Sequence, residues 1–194
     1  MEAIQLNKET LVAVYGNCNA VGRKAIKEQI GEKLSEILPV TDRVKTIKDA
    51  IEELGEEHEA VKAYRAVEWS LRDLMPDIKA YFQLRIITAA LNEGWEPQFV
   101  DGERRWYGWH DLISKEDYEA LSDEEKSRCV GRSYGNASAY GGLVYSVAFY
   151  ASSGSVTDSG SRLAFKSEKL AEYAAKQFIE IYADFCFIPE KNKA

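Results

Sequence analysis

The residues whose types could do chemistry begin with a histidine and a carboxylate in the second half of the sequence. His110 and Asp111 are adjacent, and a histidine base oriented by a carboxylate, with Cys129 as nucleophile, would suit a small hydrolase. Neighbouring residues on a strand point to opposite faces, however, so these two side chains would not pair. We therefore expect His110 to be structural and assign no catalytic residue. A small hydrolase or a nucleotide-sequestering protein built on this region is kept as an alternative.

Neither a cofactor nor a metal is predicted. The sequence has no Gly-x-x-x-x-Gly-Lys-Ser/Thr run and no Gly-x-Gly-x-x-Gly between a strand and a helix, which disfavours both standard nucleotide loops. His58 and His110 are too far apart for a local ligand pair, and no Cys-x-x-Cys is present. Cys18, Cys129 and Cys186 are odd in number and widely spaced, which indicates reduced thiols.

A shift in local charge suggests a nucleic-acid surface. Residues 111 to 126 hold seven acids and two bases, whereas the bases Arg128, Arg132, Arg162 and Lys166 follow on predicted strands, with four tyrosines between positions 134 and 150. A basic sheet face with aromatic rings can hold single-stranded nucleic acid through phosphate contacts and stacking. Because the net charge is −7, we favour the interpretation that these bases are the solvent side of a sheet.

A cluster of aromatic residues is the second candidate surface. Trp106, Tyr107, Trp109 and His110 lie within five positions. Clustered tryptophan and tyrosine side chains are typical of protein contact sites. They are equally typical of a seam between two packed units, and we favour that seam as the structural interpretation.

The elements that must position these residues divide the sequence into residues 1–97 and 98–194. The first part carries helix punctuation throughout and predicts an all-helical unit. Its predicted signals are N-caps at Asn7, Asn19 and Thr41, a break near Gly31, an end at Gly55 and a start at Pro76.

The second part predicts short strands and a final helix. Two capping-box patterns predict short acidic helices over 114–127, and strands are predicted over 128–134, 143–150 and 162–166. On the middle strand, Leu143 and Ala148 fall on opposite faces. Ser167 is the predicted N-cap of one helix that runs to Phe185. The fold class is therefore α+β: a helical N-terminal unit followed by a small antiparallel β-meander packed by a C-terminal helix, with a single packed domain left open.

Composition and the length of apolar runs bear on where the protein is located. The 194 residues are 45% hydrophobic, and no apolar run approaches the roughly 20 residues that span a bilayer. The N-terminus lacks the features of a secretory signal. We expect no membrane contact and a location in the cytoplasm of the host cell or on a virion.

Four runs carry a resemblance to a known group of proteins. They are residues 41–50 (TDRVKTIKDA), 86–95 (IITAALNEGW), 106–109 (WYGW) and 160–166 (GSRLAFK) with 170–178 (LAEYAAKQF). Together they resemble a family of small uncharacterised proteins encoded by phages and prophages of gut Bacteroides and their relatives. The resemblance implies a phage-related origin and a shared fold, and it transfers no catalytic residue. Gly108 departs from it, since proline is expected there.

These observations predict a non-enzymatic interaction or structural protein of a phage or prophage. Its partner would be a phage or host protein, or a second copy of the chain. A nucleic-acid-binding accessory protein of phage replication or host takeover is the alternative from a different class.

Overall fold

Helices make up the described first half of the chain, and a three-stranded sheet with two further helices makes up most of the second. The computed structural model describes residues 7–31, 33–71, 75–98, 100–126, 129–131, 142–152 and 161–187. The first helices are α1 (Lys8–Asn17), α2 (Ala20–Ile30), α3 (Lys33–Ile37), α4 (Val40–Arg43), α5 (Ile47–Leu54), α6 (Glu59–Leu71) and α7 (Pro76–Asn92). They are followed by β1 (Arg104–Ile113), α8 (Lys115–Ala120), α9 (Asp123–Lys126), β2 (Cys129–Gly131), β3 (Gly142–Ser152), a 3₁₀ turn (Ser161–Leu163), α10 (Glu168–Gln177) and α11 (Ile179–Cys186).

Several helix ends lie where the sequence signals predict them. The side chain of Asn7 accepts a hydrogen bond from the Thr10 amide at 2.8 Å, and that of Asn19 accepts one from the Gly22 amide at 3.0 Å. Gly31 has a φ of 62° and ends α2, which confirms the predicted break. A left-handed backbone of this kind is cheap only for glycine.

The predicted cap at Thr41 is wrong, because Thr41 lies inside the short helix α4. The cap of the next helix is Thr46, whose hydroxyl accepts a hydrogen bond from the Asp49 amide at 3.1 Å. Asp49 returns the bond to the Thr46 amide at 2.9 Å. A capping box needs a side-chain acceptor three residues after the cap, and Thr41 has Val44 there.

The sheet is antiparallel, with the strand order β1-β3-β2. This arrangement and the helices packed on it confirm the α+β class. The third strand lies between the first two, so the order differs from the sequential order of a meander. One hydrophobic cluster contains residues from both sides of position 97, from Val40 through Leu91 and Leu143 to Phe187. A smaller cluster holds α1 and α3 together.

A β-bulge interrupts the pairing of β1 with β3. Trp109 pairs with Val147 and His110 pairs with Tyr145, which leaves Ser146 as the extra residue. An extra residue shifts the two-residue alternation of side chains by one position. Leu143 and Ala148 are therefore both buried, and the prediction that placed them on opposite faces is wrong.

The predicted strand over residues 162–166 is also wrong. Only Phe165 pairs with β1, through two hydrogen bonds with Trp106 of 2.8 and 3.0 Å. The buried side chain of Asn92 binds the Ala164 carbonyl at 2.8 Å and the Lys166 amide at 3.0 Å. Because neighbouring residues point their backbone groups to opposite sides, these two groups face away from β1, and Asn92 holds the segment from that side. The preceding residues form the 3₁₀ turn instead.

The C-terminal helix begins as predicted and is then interrupted. Ser167 accepts a hydrogen bond from the Leu170 amide at 3.4 Å, which confirms the predicted N-cap. Phe178, with φ −112° and ψ 27°, separates α10 from α11, so the single helix predicted to Phe185 is two helices.

Helix α10 packs directly against β1 through its smallest residues. Ala171, Ala174 and Ala175 are completely buried. A Cβ atom built on Gly108 would lie 2.4 Å from the Cβ of Ala175 and 3.4 Å from the Ala171 carbonyl oxygen. The absence of a side chain at Gly108 is what lets the helix approach the strand so closely.

A charged cluster ties α4 and α5 to the end of α7. Arg43 is 5% exposed; its guanidinium binds the carboxylates of Glu53 and Glu93, and its Nε donates to the Leu38 carbonyl at 3.0 Å. The ammonium of Lys166 lies 3.1 Å from the second oxygen of Glu93. Glu93 has a left-handed backbone, with a φ of 50°, and its negative charge at a helix C-terminus is also unfavourable. Arg43 and Lys166 offset the free-energy cost of these two features.

Gly108→Ala should destabilise the protein by roughly 1–3 kcal/mol, because the added methyl group overlaps Ala175. The measurement is the midpoint of chemical unfolding. Gly16→Ala is the control, since nothing lies within 4 Å of its Cβ position, and it should be neutral or slightly stabilising. Adding Ala175→Gly to Gly108→Ala should recover part of the loss. Equal stability of the two single glycine variants would refute the close packing.

Arg43→Met should cost about 2–3 kcal/mol of unfolding free energy, because the buried guanidinium binds Glu53, which is 15% exposed, and Glu93, which is 34% exposed, and each is left with one lysine. The matched control is Arg65→Met. Arg65 also binds two carboxylates, those of Glu56 and Glu68, but it is 43% exposed, so the loss should stay under about 1 kcal/mol. Similar losses in the two variants would contradict the assigned role of burial.

Candidate interaction surface

The four residues of the aromatic cluster lie on β1, and strand alternation separates them. Trp106 and His110 are partly buried on the side that faces α10. Tyr107 is buried on the opposite side, where it is 9% exposed. Trp109 lies on the same side as Tyr107 and is 51% exposed. The structure therefore does not bring the four side chains together on one surface.

Trp106 belongs to a stack at the beginning of β1. Its ring centroid lies 5.0 Å from that of Tyr150, and the guanidinium of Arg104 lies 4.7 Å from the same tyrosine ring. The backbone of Trp106 is bound to Phe165 on the other edge of the strand. Trp106 thus joins β1 both to β3 and to the segment that leads into α10, as a seam residue would.

His110 is held by α10 and α11. Its Nε2 lies 3.1 Å from the Ala175 carbonyl oxygen, and its ring centroid lies 4.6 Å from that of Tyr182. Burial lowers the pKa of His110, against the opposite effects of the Ala175 carbonyl and Asp111. A neutral ring that donates from Nε2 satisfies these contacts, which supports the structural interpretation of His110.

Cys129 is not placed to act with His110. Its strand, β2, lies on the far side of β3 from β1. The thiol is 3.3 Å from the Glu125 carbonyl, to which it donates, and burial is the largest cause that raises its pKa. A raised pKa leaves less of the thiolate that would be the nucleophile. These contacts give no support to a histidine and cysteine pair.

The four candidate nucleic-acid-binding residues do not form one surface among the described residues. Arg128 and Arg132 lie outside the described residues. Arg162 is exposed on the 3₁₀ turn. Lys166 donates to the Asn92 carbonyl at 3.1 Å and binds Glu93, so its charge is used within the protein. The sequence could not reveal this role, because Glu93 lies 73 positions away.

A groove of about 640 Å³ lies between α5, α6 and α7. Ile47 and Ile51 form its apolar part, and Lys48 and Lys79 are among the charged residues around it. Arg65, which also lines it, is engaged by two glutamates. The groove brings together no combination of nucleophile, base and metal ligands that would indicate catalysis.

The outer edge of β1 was missed by the sequence analysis, which assigned no strand to residues 104–113. The aromatic content of this stretch is a strand signal, but its glycine and its charged residues obscure the alternation. The edge exposes Trp109 and, further along, Leu112, which is 47% exposed. It is the described surface on which the candidate cluster reaches solvent.

Two classes of site are absent from the described part of the chain. No group of three or more histidine, cysteine, aspartate or glutamate residues there is placed to hold a metal ion. None of the helices among the same residues combines the length and apolar character needed to cross a bilayer. Comparison with protein-family models, curated proteins and solved structures gave no match to this chain.

His110 predicts a pH dependence of stability. Its pKa is lowered in the folded state, so the stabilisation from the neutral ring is fully present above the ordinary value of 6.5. It is lost as the pH falls through the lower, folded value, because the unfolded chain takes up the proton first.

The test compares wild type with His110→Gln, which keeps a donor but does not titrate. Urea unfolding at pH 7.5 and at pH 5 should show wild type losing stability relative to the variant at the lower pH. Carboxylates titrate in both proteins, so their contributions to the pH dependence of stability largely cancel when the two proteins are compared. A constant difference between the two proteins would mean that His110 is not held as a neutral, buried ring.

Proposed function

We propose that this chain is a non-enzymatic interaction protein of a phage or prophage, and that the surface around Trp109 binds a protein partner. The observation that carries the proposal is the exposure of Trp109. It is 51% exposed on a strand face where Arg105 is 1% and Tyr107 is 9% exposed. Large aromatic side chains that remain in water are typical anchors of protein interfaces.

The surroundings of Trp109 match the anatomy of such an interface. Arg105 and Tyr107, on the same face of β1, are buried, so the strand that carries Trp109 is packed against the protein and its backbone is already positioned for a partner. Asp111 is exposed two positions further along and supplies a polar rim.

The origin of the protein belongs to the same proposal. The runs in residues 41–50, 86–95, 106–109, 160–166 and 170–178 resemble proteins of phages and prophages, and this resemblance supports a phage-related gene. The expected place of action is then the cytoplasm of the host cell or a virion, with a phage protein, a host protein or a second copy as partner.

Binding to single-stranded nucleic acid is the second candidate. Its support is the guanidinium of Arg104 stacked on the ring of Tyr150, which is 40% exposed, because a cation beside an exposed ring can engage phosphate and base together. The net charge of −7 and the engagement of Lys166 by Glu93 weigh against it. We therefore rank it below a protein partner.

Trp109→Ala should abolish partner binding, and Trp69→Ala should not. Trp69 is the matched control, since it is a 78% exposed tryptophan on α6 in the other half of the chain. The measurement is quantitative recovery of partners by the tagged protein from its own host, with circular dichroism to confirm folding. We expect at least a tenfold loss for Trp109→Ala, in line with about 2 kcal/mol for an interface hot spot.

Two outcomes would overturn this proposal. Equal recovery by the two tryptophan variants would remove the role of Trp109. Recovery of an oligonucleotide whose binding weakens steeply as salt rises would favour the nucleic-acid alternative instead.

A further inference from the structure

We infer that the outer edge of β1 binds an extended, basic segment of the partner, which adds to the sheet as a further strand. The inference rests on the proposed function, and it names the mode of binding and the chemistry of the partner. Strand addition to a sheet edge is a common way to bind peptides, with affinity supplied by main-chain hydrogen bonds.

The first step concerns the direction of the backbone groups. Trp106 uses its N–H and C=O groups to bind Phe165 on the side of β1 away from β3. Backbone groups alternate between the two edges of a strand, so Gly108, His110 and Leu112 point theirs to the same outer side. No residue in the described ranges hydrogen-bonds these outward groups.

The second step is the reason for this open edge. On this outer side, the pairing among the described residues is limited to Phe165, because the 3₁₀ turn Ser161–Leu163 diverts the preceding residues from the strand. The part of this edge from Gly108 to Ile113 follows the pair that Trp106 forms with Phe165. A strand added there would extend the same antiparallel pairing. Six residues span about 20 Å, enough for a short added strand.

The third step is the lack of protection at this edge. Proteins usually guard an edge strand with proline, with lysine or with a bulge on that strand. Residues 106–113 contain neither proline nor lysine, and the extra residue of the bulge lies on β3. Trp109 and Leu112 instead expose apolar side chains along it. An edge with so little protection suits pairing with a strand of a partner.

The charge around the edge selects the chemistry of the partner. Asp111 is exposed on β1, and α8 follows the strand directly with exposed Glu116 and Asp117. A basic segment would meet complementary charge here, whereas a second copy of this edge would bring like charges together. We therefore commit to a basic, extended segment.

The probe is an acetylated, amidated ten-residue peptide of alternating lysine and valine, added to the full-length protein at low salt. The amides of Gly108, His110 and Leu112 should exchange with solvent quickly in the free protein and at least tenfold more slowly with the probe. The Tyr107 amide, which faces β3, should change little. A fully N-methylated peptide, which cannot donate backbone hydrogen bonds, should give no protection. A glutamate and valine peptide should bind at least tenfold more weakly.

The matched variants are Leu112→Pro and Leu112→Ala. Proline removes the outward N–H and leaves the hydrogen bonds with β3 in place, because proline is tolerated at the solvent side of an edge strand. Leu112→Pro should lose the probe, and Leu112→Ala should keep it within a few fold. Thermal unfolding checks that both variants are folded.

Each contrary result has a separate meaning. Absence of amide protection at millimolar probe overturns strand addition, and equal binding of the glutamate peptide overturns the basic partner. Protection already present in a concentration-dependent dimer would make a second copy the occupant, which also overturns the inference. If host-partner recovery still depends on Trp109 but survives Leu112→Pro, the proposed function stands and the inference alone fails.

Discussion

The close approach of α10 to β1 at Gly108 is the constraint on which the rest of the second half depends. Three buried alanines and one glycine remove the side-chain volume that would otherwise hold a helix away from the sheet. At that distance the Ala175 carbonyl reaches the imidazole of His110, which is why the histidine has a structural partner. Because α10 covers the face of β1 that carries Gly108 and His110, strand alternation directs Trp109 to the opposite face.

Local signals were enough to predict the fold class and many helix ends. Asn7, Asn19 and Ser167 cap helices because each has a short polar side chain that satisfies amides three residues ahead, and that chemistry is entirely local. The bulge at Ser146 carries no local signal in the sequence, since it is defined by the register with β1, where Trp109 pairs with Val147 and His110 pairs with Tyr145. The same applies to Glu93, whose unfavourable backbone is stabilised by Arg43 and Lys166 from distant parts of the chain.

The sequence was enough to predict which residue types form the candidate surface, but not which of those residues are exposed to solvent. The four candidate residues were chosen because they are close in sequence. Their solvent exposure, however, depends on what covers each side of β1. Trp106 is joined to Phe165 and Tyr150, whereas Trp109 remains half exposed. Lys166 shows the same limit for the basic residues, because its ammonium is held by the end of α7. Clustering by residue type therefore picked out residues of one strand but could not indicate which of them reach solvent.

The failed strand prediction and the open edge of β1 have one cause. The segment before α10 has the alternating pattern of a strand, and β1 offers it an edge to join. Asn92 binds the Ala164 carbonyl and the Lys166 amide on the side away from β1, and Leu163 is buried, while the residues before Phe165 turn away from the edge. The 3₁₀ turn that results leaves the outward groups of Gly108, His110 and Leu112 without a partner among the described residues. Within the described residues, the turn that breaks the predicted strand thus also leaves this edge of β1 unpaired beyond Trp106.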